Sequence, residues 1–370
     1  MEEWAAEKRI LRDEIYQGLS TELEESLLSE IAYTGFETDK LFFSQREVVE
    51  EIKTFLATNL NVPKHLDGEA VLNAIAVQQG ILVERAEDVY SFSHLTLQEY
   101  LTAQYIADNN LIEQLVTCHL GDRRWREVFL LVAGLVRAKN GADDLLLLME
   151  KEAQKYINTP KLQELLQWAD AATNGSEGDF KPVGKRAATI IYAYAYANAY
   201  AYGIANGITN DITNGIAYDI ANAVGNAYAI ADGYGIAFAY GYAIDIVYAN
   251  AIANVIARAE EFQKIKIFKD VNWTELIAQL TALKDRFADA NQSDPIDLAF
   301  FDCLLDTWCN ALHLNREIVK LSNEEVKTLG DYLSANHLII QCKEAAVRIS
   351  AKTWEEIESR MLVVPDNSTI

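Results

Sequence analysis

A repetitive segment limits the folds open to this chain more than any other feature of its sequence. Between residues 187 and 257, small residues hold nearly every odd position, and tyrosine, isoleucine, asparagine and phenylalanine hold the even ones. A period of two is typical of a β-strand, whereas isoleucines and asparagines that recur every four residues approach the helical period. Because alanine favours helices and disfavours strands, we predict closely packed helices, with a β-solenoid as the alternative.

The same segment holds most of the chain's 18 tyrosines. A repeat of this kind cannot bury its apolar face alone, so we expect it to stack on itself or on its neighbours. We expect helix breaks near residues 209–211 and at Asp232–Gly233. The amphipathic rings suit either packing between repeats or recognition of a partner. The candidate recognition surface comprises Tyr194, Tyr200, Tyr234 and Tyr240.

Outside the repeat, local signals predict a mainly α chain. A Ser or Thr followed three residues later by Glu caps a helix start, and proline suits the first helical position. Such signals occur at Ser44 with Glu47, Thr96 with Glu99, Thr159 with Pro160, Ser322 with Glu325, and Thr353 with Glu356. Two β-rich runs at residues 81–85 and 89–92 predict a hairpin. Helices, a β-wing and a closing helix are the parts of a winged-helix domain.

The charge balance bears on the class of partner. The chain has 55 acidic and 32 basic residues, a formal net charge of −23. Binding to a nucleic-acid backbone depends on Lys and Arg, so we do not expect a nucleic-acid partner. The presumed last helix of the winged-helix domain, with Gln98 and Glu99, carries no Lys or Arg. The acidic balance is typical of a solvated surface.

The cysteines and the apolar runs exclude further classes. Four cysteines are too few and too scattered for a disulfide framework or a zinc site, so we expect buried helix cysteines and no bound metal. The chain starts without the basic and apolar regions of a secretory signal, and it lacks an apolar run of about 18 residues. We therefore expect a cytoplasmic protein without membrane contact.

The most specific string runs from Phe92 to Ala103 and reads FSHLTLQEYLTA. It resembles the signature F-x-H-x-[TS]-[FL]-Q-E-[YF]-x-x-A, which ends the winged-helix domain of NACHT signalling ATPases. The matching residues are Phe92, His94, Thr96, Gln98 and Glu99. The stretches at residues 31–44 and 80–84 are similar to the rest of that domain. Residues 332–358 are similar to a helical module that ends many bacterial, often cyanobacterial, NACHT proteins.

The resemblance implies a domain order and a role for one histidine. It implies a winged-helix domain at 1–108, a helical linker domain at 109–185, the repeat at 186–260 and a C-terminal helical module at 261–370. In family members the histidine that matches His94 contacts the β-phosphate of ADP and helps to hold the inactive state. An imidazole N–H can donate to a phosphate oxygen. The alternative is that His94 only hydrogen-bonds locally, beside Thr96.

The chain departs from the family in its catalytic parts. It lacks the phosphate loop G-x-x-x-x-G-K-[ST], and its nearest match, Gly184-Lys185, is followed by Arg186 without the upstream glycine. A Walker B strand is also missing. We therefore expect no enzymatic activity and no catalytic residues. ADP or ATP would bind only together with a NACHT ATPase core, supplied in cis or in trans.

Two functional hypotheses follow. In the first, the chain is the regulatory and sensor half of a STAND NTPase that acts in signal transduction and antiviral defence. Its winged helix would clamp the nucleotide state, and its helical region would respond to a trigger molecule such as a protein. In the second, the chain is a helical repeat scaffold or protein-interaction module without a nucleotide role.

Overall fold

The computed structural model describes residues 20–58, 67–76, 80–137, 140–190, 213–236, 251–288 and 298–364. The chain divides into two compact units. The first is drawn from Met1–Leu145 with Ala345–Arg348, and the second from Leu146–Glu344 with Ile349–Ile370. Both units are mainly helical, as predicted, and the small sheet lies in the first. The four domain boundaries inferred from the sequence stay a prediction.

The first unit has the element order of a winged-helix domain. Its elements are α1 (Thr21–Glu37), β1 (Phe43–Ser44), α2 (Gln45–Thr58), α3 (Gly68–Ala74), β2 (Leu82–Ala86), β3 (Val89–Phe92), α4 (Leu95–Asp108), α5 (Ile112–His119), a 3-10 turn (Arg123–Trp125) and α6 (Arg126–Leu135). Helix α1 packs against α4, and α4 packs against α6. The helices and the sheet enclose one apolar core, which includes Leu28, Ile31, Val48, Ile52, Leu72, Leu82 and Phe92.

The sheet is antiparallel, with the strand order β1-β3-β2. The hairpin of β2 and β3, which we call the wing, confirms the predicted pair of strands. Leu82 lies opposite Phe92 and Glu84 opposite Tyr90, but the register shifts before Ala86 pairs with Val89. Arg85 is therefore the extra residue of a β-bulge, a feature that bends a strand and redirects its side chains.

The structure confirms the predicted capping signals at Ser44, Thr159 and Ser322. The backbone N–H of Ser44 donates to Glu47 Oε2 at 2.9 Å, and the N–H of Glu47 donates to Ser44 Oγ at 3.3 Å. The same exchange joins Ser322 to Glu325. Thr159 Oγ1 accepts from the N–H of Leu162 at 3.4 Å, and proline follows it at the first helical position.

Two predicted capping boxes are wrong. His94, not Thr96, is the N-cap of α4, and its side chain makes no capping bond. Thr96 is the second residue of the helix and cannot cap its start, and Glu99 is buried. At the last helix, α16 (Ala351–Arg360), Ser350 Oγ accepts from the N–H of Thr353, so the cap stands three residues before the predicted one.

The second unit is a helical assembly. Its elements, from α7 onward, are α7 (Asp143–Gln154), α8 (Pro160–Thr173), α9 (182–190), α10 (Thr213–Gly233), α11 (Ala251–Ile265), α12 (Trp273–Ala288), α13 (Leu298–Ala311), α14 (Arg316–Val319), α15 (Asn323–Ala345) and α16. Helix α12 packs between α11 and α13. Phe262, Phe268 and Trp273 form an aromatic cluster with ring centroids 5.1–5.5 Å apart.

The described part of the repeat is helical, which favours the helical prediction over the β-solenoid. Helix α10 ends at Gly233, where a break was predicted, and Gly235 continues the chain with φ +82°. The other predicted break, at residues 209–211, lies outside the described residues. Ala223, Ala227 and Ala231 recur every four residues on α10 and are buried, so small residues line a buried face of this helix.

The cysteines are only partly as predicted. Cys309 and Cys342 are buried, but Cys118 and Cys303 are exposed because they lie on the solvent-facing sides of their helices. All four are free thiols. Within the described ranges, no group of three metal-ligating side chains is present, and none of the helices has the length and apolarity that a membrane span requires.

Candidate functional site

The wing meets helix α4 at His94, and we call Ser93, His94 and the first turn of α4 the His94 corner. The His94 backbone is extended, with φ −137° and ψ 144°, and its carbonyl accepts from the N–H groups of Leu97 and Gln98. The His94 residue is exposed. In the described part of the chain, no protein group hydrogen-bonds to the imidazole. The imidazole is therefore available to a ligand or a partner.

The other residues of the signature hold the corner in place. Phe92 is buried and packs edge-on against Phe43, with ring centroids 6.1 Å apart. Gln98 is also buried, and its Nε2 donates to the carbonyl of Lys40 at 3.2 Å. Burial, and then the charge of Glu127, raise the pKa of Glu99. Thr96 is exposed. The signature thus contains one outward-facing imidazole on a buried support.

Gly35 allows the buried residues beneath the His94 corner to pack together. A Cβ at Gly35 would lie 2.4 Å from the ring of Phe43 and 3.1 Å from Gln98 Nε2. Such a separation from an aromatic carbon is well inside van der Waals contact, so only glycine lets α1 approach β1 and α4 this closely. Gly35 belongs to the stretch at 31–44 that resembles the family, and the structure supplies the steric reason for it.

The loop from α1 to β1 is fixed from the other side. His119 Nε2 lies 3.1 Å from Glu37 Oε2, and the imidazole stacks on Trp125 with centroids 3.9 Å apart. Arg124 Nη1 lies 2.7 Å from Asp39 Oδ1. These contacts join the end of α1 to the segment before α6. They restrain the loop whose Lys40 carbonyl receives the Gln98 hydrogen bond.

The sequence interpretation missed Arg85. Its Nε donates to Ser91 Oγ at 3.0 Å, and its Nη2 donates to the carbonyl of Ser93 at 3.0 Å. The guanidinium therefore lies against β3, and Nη2 contacts the residue that precedes His94. The only sequence signal was an arginine in the predicted hairpin, because the alternation of residues does not show which acceptors a long side chain reaches.

Gly184 and Lys185 do not form a phosphate loop. They lie within helix α9, and the Lys185 side chain is buried, with its Nζ donating to Ser176 Oγ at 2.9 Å. Burial lowers the pKa of Lys185. A phosphate loop needs backbone N–H groups that point at the ligand, whereas the N–H of Lys185 donates to the carbonyl of Lys181.

The candidate tyrosine surface is only partly described. Tyr234 packs against Gly184, where an added Cβ would lie 2.6 Å from Tyr234 Cβ. Its hydroxyl oxygen is buried, and burial is the main reason that its pKa is raised. Lys181 Nζ lies 5.8 Å from the ring centroid. Tyr234 therefore makes packing contacts within the second unit, and its part in a recognition surface stays a prediction. Tyr194, Tyr200 and Tyr240 lie outside the described residues.

Two family models match the chain. Residues 20–106 match the winged helix-turn-helix domain C-terminal to NACHT, and residues 276–364 match the NACHT C-terminal helical domain 2. No curated protein and no solved structure matches the chain. The first match covers the wing and the His94 corner, and the second covers most of α12 and helices α13 to α16. The chain therefore carries two domains of the C-terminal half of a NACHT-domain protein.

Proposed function

We propose that this chain is the non-catalytic regulatory and sensor half of a NACHT-type STAND NTPase, which acts in cytoplasmic signal transduction and antiviral defence. Its winged helix stabilises the ADP-bound, inactive state of an ATPase core supplied in cis or in trans. The helical region responds to a trigger molecule and shifts the equilibrium toward release. The chain alone binds neither ADP nor ATP.

The observation that supports this proposal is the accessibility of the His94 imidazole. The imidazole is exposed, has no acceptor or donor among the described residues, and stands on a support built from buried residues of the same signature. A free polar side chain on a rigid support is suited to an external ligand. A phosphate oxygen is a charged acceptor, and hydrogen bonds to charged groups are the stronger kind.

The surroundings of His94 also favour contact with another domain. Leu95, the residue after His94, is 51% exposed. Leu41 and Phe42, which lead into the strand beside β3, are 48% and 58% exposed. Apolar side chains beside an exposed histidine favour a surface that a partner domain covers, because contact with such a domain would remove them from water.

The test is retention of ADP by a complex. The chain is mixed with a NACHT ATPase core, and dissociation of a fluorescent ADP analogue is followed after dilution. A lost hydrogen bond to a charged group costs about 1.5–3 kcal/mol. We therefore expect His94→Ala to speed ADP release by roughly 10- to 100-fold. His94→Gln, which keeps an N–H donor, should recover part of the loss.

His313→Asn is the matched control. His313 is also exposed but lies in the second unit, with φ +52°, a conformation that asparagine tolerates. It should leave ADP release unchanged. If His94→Ala and His313→Asn behave alike in a complex that still forms, the nucleotide role is refuted and the scaffold alternative is favoured. Hydrolysis of ATP by the purified chain alone would contradict the non-catalytic assignment.

A further inference from the structure

Helix α16 is attached to the second unit with little apolar burial of its own. Among its ten residues, all of which the structure describes, Ile357 alone is buried, whereas 11 of the 23 residues of α15 are buried. An isolated helix of this length is at best marginally stable in water. Whether α16 stays in place therefore depends on its contacts with other helices.

Charged side chains make those contacts. Arg360 Nε and Nη2 donate to Glu150 Oε1 and Oε2 on α7, at 2.8 and 2.7 Å. Lys181, just before α9, has its Nζ 2.8 Å from each carboxylate oxygen of Glu358. Arg186 donates to the carbonyls at the end of α16. The Glu150 side chain is only 11% exposed. Removing an ion pair from water costs about as much as the attraction gains, so such pairs position a helix without holding it strongly.

Lys181 also contacts the end of the repeat. Its Nζ lies 5.8 Å from the ring centroid of Tyr234, which follows the last residue of α10. Burial, and then the charge of Glu358, raise the pKa of Tyr234, so this carboxylate lies near the tyrosine hydroxyl. Lys181, Tyr234 and Glu358, which we call the Lys181 cluster, therefore join the repeat to α16.

We propose that α16 is a releasable latch of the second unit and that the Lys181 cluster couples its release to the end of the repeat. This inference rests on the proposed function, in which the helical region responds to a trigger, and it names the element that moves. Displacement of Tyr234 moves Lys181 away from Glu358, and Arg360 then leaves Glu150 together with the helix. The separated charges return to water, so the docked and released states differ little in free energy, as a switch requires.

The experiment measures hydrogen exchange in the whole chain, without a nucleotide. The amides of Trp354 and Met361, which donate to the carbonyls of Ser350 and Ile357, report on the two ends of α16. We expect both to exchange at one common rate, at least about tenfold faster than the amide of Leu333 in α15, because a latch opens as a unit. Raising NaCl from about 50 to about 500 mM should speed their exchange roughly threefold, since salt screens partly exposed ion pairs.

Arg360→Met leaves the Glu150 carboxylate without its partner while α16 is docked. A lost hydrogen bond to a charged group corresponds to roughly a 10- to 100-fold change, so exchange in α16 should speed up by that factor. Combining Arg360→Met with Glu150→Met replaces the ion pair by apolar side chains and should return exchange to within about threefold of the parent. A general loss of folding would not be rescued in this way. If Arg360→Met fails to fold, the salt dependence of the parent tests the latch.

Lys352→Met is the matched control. Lys352 lies on the same helix, and its Nζ is 3.7 Å from Glu356 Oε1 of that helix. The substitution removes a positive charge and an exposed ion pair within α16, so exchange should change by less than about twofold. Equal effects of Arg360→Met and Lys352→Met would overturn the inference. So would amides of α16 that exchange no faster than the amide of Leu333.

The amide of Ile236 tests the coupling to the repeat. It donates to the carbonyl of Ala231 at 3.0 Å, at the end of α10. Because coupling is reciprocal, Arg360→Met should speed exchange of this amide at least about fivefold, and adding Lys181→Met should abolish that increase. An Ile236 amide that does not respond while α16 is released would overturn the coupling.

The last measurement separates this inference from the proposed function. In the complex with a NACHT core, Arg360→Met should speed ADP release about three- to tenfold, because it favours the released state. An effect of His94→Ala without an effect of Arg360→Met would overturn the regulatory role of the latch and leave the proposed function standing. Release of α16 in the chain alone, with ADP release that is insensitive to His94→Ala, would refute the proposed function and with it the regulatory role.

Discussion

Arg186 allows a stability prediction that can be worked out from its contacts. The residue is 4% exposed in the second unit, on helix α9. Its Nε and Nη2 donate to the carbonyl of Met361 at 3.1 and 2.8 Å, and Nη2 also donates to the carbonyl of Ser359 at 3.4 Å. Its Nη1 donates to Asp170 Oδ1 at 3.0 Å. The cation also lies at the carboxyl end of α16, where a positive charge is favourable.

The perturbation is Arg186→Met, which keeps much of the volume and removes every donor. Met361 is 2% exposed, so its carbonyl would lose both partners without reaching water. An unsatisfied buried acceptor costs about 1–3 kcal/mol. Asp170, whose side chain is 37% exposed, can be rehydrated and adds little. With the loss of the helix-terminus interaction, we expect a destabilisation of about 2–4 kcal/mol.

Hydrogen exchange measures this loss locally and does not require the whole chain to unfold in one step. The amide of Met361, which donates to the carbonyl of Ile357, reports on the end of α16. Since each 1.4 kcal/mol is a factor of ten, its exchange should speed up by roughly 30- to 700-fold in Arg186→Met. Asp170→Asn keeps an acceptor for Nη1 and should change exchange by less than about fivefold. An increase below threefold in Arg186→Met would refute the reasoning.

Two further predictions concern the first unit. Burial, and then the charge of Glu30, raise the pKa of Glu51 from 4.5 to about 7, so the folded state retains this proton to higher pH than the unfolded state does. The stability contributed by the protonated carboxyl should therefore be lost as the pH rises toward 7. Glu51→Gln should unfold at a higher urea concentration than the parent near pH 8, but not near pH 4. A difference between the two unfolding midpoints that does not change with pH would contradict this. Gly141 (φ +60°) and Gly80 (φ +63°) share a left-handed backbone, but an added Cβ would lie 2.1 Å from the carbonyl of Arg348 at Gly141 and would meet nothing at Gly80. In thermal unfolding, Gly80→Ala should destabilise the protein by about 1 kcal/mol, and Gly141→Ala should destabilise it clearly more. Equal effects would show that the backbone around Gly141 and Arg348 moves apart freely.

Local sequence determined most of the helix and strand positions. Ser44 and Glu47 form their capping box because the two residues lie within one helical turn at the start of α2. The repeat also shows the strength of local preference, since its described part is helical despite its glycines. The signature from Phe92 to Ala103 led to the family and to His94 because the string is specific, although its sequence does not show which residues are buried.

Tertiary structure determined which polar side chains are buried and which distant groups they contact, because both depend on residues far apart in the chain. Glu99 has the spacing of a capping residue relative to Thr96, yet packing places its carboxyl in the interior and leaves the cap position to His94. In the sequence, Arg186 indicated only that Gly184 and Lys185 do not match a phosphate loop. In the structure it donates hydrogen bonds to the carbonyls of Ser359 and Met361, about 175 positions away. The guanidinium of Arg85 reaches Ser91 and Ser93 only because β2 pairs with β3. Composition and spacing specify the elements, but the direction in which a side chain points depends on the packing of the whole unit.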